Sequence, residues 1–154
     1  MHWTNVPTIL SSLTFVLPFY AAVDTQNPLT ALCWGALTTT SIALHSTKHP
    51  FHLHGPGNCI PVLLQVDTLA LYVALARSFV DGYAAGPLGV ALWIGVVLWG
   101  GLVYHLGRLL NRFGFDRRPD ISILSHVSLH LISSFAGTAA IYSRAFKNGQ
   151  CPSP

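Results

Sequence analysis

A chain of 154 residues has room for one domain, and this one is 51% apolar and 8% charged. A water-soluble domain carries roughly 25% charged residues, so a water-facing surface is excluded. The net charge of +3, without a polybasic run, gives no footing for nucleic-acid binding.

The expected fold class is all-α, a polytopic membrane helix bundle of about five transmembrane helices forming a single membrane domain over residues 1–154. Five apolar runs carry that expectation, each near the ~20 residues needed to cross a bilayer core. The first covers about residues 6–23 and is followed by a turn with Asp24 and Pro28. The second covers about 29–45 and leads into a polar, His-rich loop over 46–58. The third covers about 60–80, closed by the turn Asp81-Gly82-Tyr83 and the break Gly86-Pro87. The fourth covers about 88–106, a basic loop occupies 107–120, and the fifth covers about 121–142 before a short polar tail.

The first basic side chain is Lys48, so the opening apolar run reads as a retained helix rather than a cleaved leader. Lys48, Arg108, Arg112, Arg117 and Arg118 fall on the N-terminal side of the membrane, against Arg77, Arg144 and Lys147 on the other. The excess predicts an N-terminus on the cytoplasmic side and a C-terminus outside. The cysteines Cys33, Cys59 and Cys151 are odd in number and scattered, which fits neither a disulfide framework nor a CxxC metal knot.

Ionisable groups inside apolar runs are costly and point to function. Here they are Asp67 in the third helix, His126 and His130 in the first third of the fifth, His45 at the end of the second and His105 near the end of the fourth. The second helix runs toward the face from which the third and fifth start. His45, Asp67, His126 and His130 are therefore expected within about a dozen ångströms of common depth. His126 and His130 are four apart and share a helix face, which Ser122 and Ser134 extend. Thr38, Ser41 and His45 form a matching stripe.

Three neutral imidazoles from two helices suit a divalent metal, above all zinc, with a fourth position left for water. Zinc lowers the pKa of such a water to about 7. Asp67 could hold or deprotonate it and pass the proton to a leaving group. All five acidic residues are Asp, so the HExxH metalloprotease arrangement is excluded. His105 reads as a hydrogen-bonded helix contact. The loop histidines His49, His52 and His54, among Pro50, Gly55, Pro56 and Gly57, read as solvated or at a substrate's edge.

Ser41-Ile-Ala-Leu-His45, then Asp67, then His126-Val-Ser-Leu-His130 resembles the signature of the CREST superfamily of membrane hydrolases. That group includes the alkaline ceramidases and the adiponectin and progestin receptor family. The resemblance covers about residues 38–135 and implies that His45, His126 and His130 bind zinc. It also implies that Asp67 orients the water and Ser41 hydrogen-bonds the water or the developing oxyanion. The reaction it implies is hydrolysis of a lipid amide such as ceramide, with the acyl chains among the helices. The family has seven membrane helices and this chain offers five, so the pocket would need another membrane subunit, a second copy, or a different use. Two other readings of the residues stand beside it. One is a non-catalytic subunit of a larger membrane complex; the other is a b-type haem protein using pairs such as His45 with His126 or His105 with His130.

Overall fold

A computed structural model describes residues 6–46 and 62–150. Among them the chain forms five long helices and no strands: α1 (Val6–Asp24), α2 (Pro28–Ser46), α3 (Val62–Ala85), α4 (Pro87–Leu110) and α5 (Pro119–Lys147). The all-α bundle is therefore the observed fold. The loop histidines, Lys48, Cys59, Cys151 and the start of the third run at residue 60 lie outside the described residues.

Four of the five helices, α1, α3, α4 and α5, are long and apolar enough to cross a membrane. The helix α2 is long enough at 19 residues but more polar, and the reason is visible in its packing. It buries Thr30, Ser41 and His45 inside the bundle along with Ala31, Cys33, Trp34 and Leu37. The outward surfaces of the others are apolar: Leu98 and Leu124 are 67% and 70% exposed.

Local chemistry shapes each helix. In α1 a tight 3₁₀ turn at Leu13–Phe15 precedes Pro18, whose ring lacks an N–H and crowds the carbonyl four residues back at Thr14. In α4 the turns at Gly101–Leu106 widen to π geometry, starting at the second residue of the Gly100-Gly101 pair. Asn111 ends α4 in the left-handed region at φ 50°, with the Arg112 N–H returning to the Gly107 carbonyl at 2.9 Å.

The segment Asp81-Gly82-Tyr83, expected as a turn, is instead helical, and α3 continues to Ala85. Gly86 alone makes the break, at φ 101°, with Pro87 opening α4. The physical reason is the fate of Asp81. It is fully buried and accepts hydrogen bonds from Thr30 Oγ1 at 2.7 Å, Asn27 Nδ2 at 3.3 Å and Arg77 Nη2 at 3.1 Å. Arg144 pairs with the same carboxylate. One carboxylate thus ties α2, α3 and α5 together at the end of the bundle holding the α1–α2 turn. Arg144 and Lys147, expected in the tail, belong to the last turn of α5, where cations suit the helix C-terminus.

Close helix packing in an apolar medium depends on small residues. Gly82 and Gly89 bring α3 and α4 so near that an added Cβ on Gly89 would lie 2.4 Å from the Gly82 carbonyl oxygen. Gly137 of α5 makes room for the Trp34 ring in the same way, with a contact of 2.6 Å. Beyond the glycine contact α3 and α4 part company. The Gly101–Leu106 turns pack mainly against the neighbouring parts of α4, α5 and the 3₁₀ turn Phe113–Phe115. Tyr104 meets Phe115 edge-on at 5.3 Å. The space left between the diverging helices becomes the cavity described next.

Candidate metal centre and its cavity

The i, i+4 spacing in α5 places the His126 and His130 rings 4.6 Å apart on one face. His45, in the last turn of α2, meets both, at 4.8 Å from the first ring and 5.4 Å from the second. Nε2 of His45 and Nε2 of His126 are 3.0 Å apart. One ligating nitrogen from each of the three residues lies within 4.8 Å of the others, close enough for the set to hold one metal ion. Two imidazole nitrogens bound to one zinc at ~2.0 Å in tetrahedral geometry stand about 3.3 Å apart. The His45–His126 pair is near that separation already. The donor set, three uncharged nitrogens, fits zinc as well.

The third ring is held from behind by α1, a helix to which the residue pattern alone assigns no part in the site. Ser11 Oγ lies 2.9 Å from His130 Nδ1, and Ser12 Oγ lies 3.4 Å from it. Both hydroxyls donate to the Thr8 carbonyl, at 2.9 and 2.8 Å. With the Ser11 proton so used, its oxygen accepts Nδ1–H of His130, and Nε2 keeps its lone pair for a cation. Phe15 packs on the His130 ring at 4.8 Å. Thr14 and Ser134 hydrogen-bond at 2.9 Å, and Ser134 donates to the His130 carbonyl at 2.7 Å, tying α1 to α5 just beside the ring. The signal for these residues was present as the polar set Thr8, Ser11, Ser12 and Thr14 inside the first apolar run.

Ser41 is buried one turn before His45, with its Oγ 3.1 Å from Ser12 Oγ. Asp67 is half-buried on α3, and Thr40 Oγ1 donates to its Oδ1 at 2.9 Å. Its Oδ2 makes no hydrogen bond among the described residues. Ser41, Asp67, His126 and His130 all line one cavity of about 250 Å³. His45 is not among its walls and completes the imidazole cluster from behind. Apart from these groups, Thr68, Tyr72, Tyr104, His105 and Ser133, the walls are apolar. His105 lines the cavity too, but as an exposed residue on the π-helical turns of α4, outside the imidazole cluster. Ser122, expected to extend the α5 stripe, is buried, as is Ser134.

The geometry also bears on haem. Axial nitrogens on opposite faces of one iron stand about 4 Å apart, twice a metal–nitrogen bond of ~2.0 Å, with the macrocycle between them. The Nε2 atoms of His45 and His126 stand closer than that, at 3.0 Å, and His105 lies outside the cluster that holds His130.

The molecule is thus an all-α bundle, four of whose helices can cross a membrane, with a three-histidine cluster able to hold a metal beside a largely apolar cavity. Comparison of the chain with protein-family models, with curated proteins and with solved structures finds no match in any of the three.

Proposed function

We propose that this chain is a multi-pass membrane hydrolase with zinc at His45, His126 and His130, cleaving a lipid amide or ester much as the resemblance to the CREST superfamily implies. The observation that carries the reading is the meeting of three imidazoles, from two helices far apart in sequence, beside a cavity lined by two of them together with Asp67 and Ser41. In this reading all five helices span the bilayer, α2 screened by its neighbours, with the N-terminus on the cytoplasmic side as the Lys and Arg distribution favours.

Zinc, when bound, would supply a Lewis acid and an acidified water at neutral pH. The rest is work for the chain's own residues. Asp67, held by Thr40 through Oδ1, has Oδ2 free to accept a proton from the attacking water. The water oxygen bonds to the carbonyl carbon, the carbon–nitrogen bond breaks, and Asp67 returns the proton to the leaving nitrogen. With the Ser12 proton given to the Thr8 carbonyl, Ser41 donates to Ser12 Oγ at rest, and its hydroxyl would have to turn from Ser12 to donate to the carbonyl oxygen as charge develops on it. Ser11 keeps the His130 ring in the tautomer a cation requires. The apolar walls take up the acyl part and keep bulk water from the scissile bond. The two helices present in the family and missing here would be replaced by another subunit or a second copy, or left out altogether.

The test is elemental analysis of detergent-purified protein never exposed to chelator, with its visible spectrum and an assay on N-acyl amides. The expected result is about one zinc per chain, no Soret band and amide cleavage lowered roughly 10²–10⁴-fold by Asp67→Asn. Metal-free protein would sink the reading and favour an accessory subunit instead.

A further inference from the structure

The cavity has a shape that says more about its occupant than the imidazoles do. Ser41, Asp67, His126 and His130 share its wall with aliphatic side chains such as Leu64, Leu71, Leu75, Val96, Val97 and Leu129, and with Thr68, Tyr72, Tyr104, His105 and Ser133. An amphiphile with a polar head at Asp67, His126 and His130 and an apolar tail against the aliphatic walls suits that lining. Size then limits the tail. An apolar cavity of about 150 Å³ takes up one benzene ring of six carbons, so about 250 Å³ holds on the order of ten.

Two further observations say where the tail lies and how it arrives. Gly100 and Gly101 form part of the wall at the start of the π-helical turns. A Cβ on Gly101 would meet nothing within 4 Å, and one on Gly100 only Leu129 at 4.0 Å. Both glycines thus leave open space beside their backbone at the cavity wall, unlike Gly82, Gly89 and Gly137, whose absent side chains allow helix contact. The wall is also incomplete toward the outside. Tyr72 on α3 and Val97 on α4 both line the cavity, yet they are 54% and 38% exposed. They flank the gap where the two helices diverge.

We infer that the substrate is a single-chain acyl compound, an N-acyl amide or monoacyl ester of about ten carbons, admitted from the bilayer between α3 and α4, with Gly101 setting the room for its tail. The proposal rests on the metal reading for its head group and goes beyond it in the tail. A second chain has no space inside the bundle, and holding it in the gap beside Tyr72 and Val97 while the first tail is inside would cost affinity.

The test uses the full zinc-loaded chain in detergent and three probes: acetohydroxamate, decanohydroxamate and a hydroxamate carrying two decyl chains. Binding is read by native mass spectrometry, with probe amounts expressed as mole fraction in the detergent so that the tails' own partitioning cancels. The wild type should bind the single-chain probe at least tenfold more tightly than the two-chain one. Gly101→Leu should weaken decanohydroxamate at least tenfold and acetohydroxamate less than twofold, with Gly101→Ala in between. Equal binding of one and two chains, or equal loss of both short and long probes in Gly101→Leu, overturns the single-chain assignment. Failure of acetohydroxamate itself on the wild type overturns the metal reading instead. Decanol retained by the wild type but not by Gly101→Leu would then still decide the tail.

Discussion

Ser11 Oγ of the first helix lies 2.9 Å from Nδ1 of His130 in the last, across 119 residues of sequence. A hydrogen bond of this kind on the far side of an imidazole fixes both its tautomer and its direction. Metal sites that lose one typically lose 10–100-fold in affinity. Ser11→Ala is accordingly expected to weaken zinc binding by about that factor, and Ser11→Thr to restore part of it, in competition with a chelator of known affinity. Unchanged affinity in the alanine variant would remove Ser11 from the site.

His126→Ala should leave the purified protein without zinc, since its Nε2 is 3.0 Å from that of His45 at the middle of the cluster. His105→Ala should retain the metal, because His105 lines the cavity outside the cluster. Metal analysis of the two variants checks this directly. Equal zinc in both would mean the ion, if any, is held elsewhere.

Asp67→Asn keeps the shape and the Thr40 contact but removes the base. Hydrolysis is expected to fall by roughly 10²–10⁴-fold, the usual contribution of a positioned general base, with zinc content unchanged. Thr40→Val should cost less, since it removes only the hydrogen bond that steadies Oδ1. An Asp67→Asn variant that turns over at the wild-type rate would exclude proton transfer through this residue.

Asp81→Asn should destabilise the bundle without touching the metal. Two arginines would lose the buried carboxylate that balances them, a loss of about 3 kcal/mol, the low end for a broken buried pair because Arg77 and Arg144 are 17% and 29% exposed. Thr30, which bonds Asp81, and His45 are about 22 Å apart along α2 at 1.5 Å per residue, so zinc per folded chain should stay constant. Unfolding in detergent followed by circular dichroism measures the first, and metal analysis of the folded fraction the second. A variant as stable as wild type would show that the arginines are adequately solvated without their partner.

Much of this protein could be read from its residues in order. Length and hydrophobicity of the apolar runs determine the helices, because backbone groups in an apolar medium must bond within their own segment. The spacing His126-Val-Ser-Leu-His130 determines that two imidazoles share a face, and chain direction determines that His45 and Asp67 share their depth. These are local properties, set by helix geometry alone.

What lay beyond the sequence was the choice of partners. Asp81 resembled a turn residue because Asp-Gly is turn chemistry. It is helical because Thr30, Asn27, Arg77 and Arg144 converge on its carboxylate, and a buried charge holds its place only where such donors gather. Nothing in the order of residues assigns Ser11 and Ser12 to the site; packing α1 against His130 does. Gly101 could have been a packing glycine like Gly89, and only the divergence of α3 from α4 makes it open space. Helical periodicity says which side chains leave a helix together. Which neighbour they meet depends on how five helices tilt and approach, and that is decided by contacts between residues far apart in the chain.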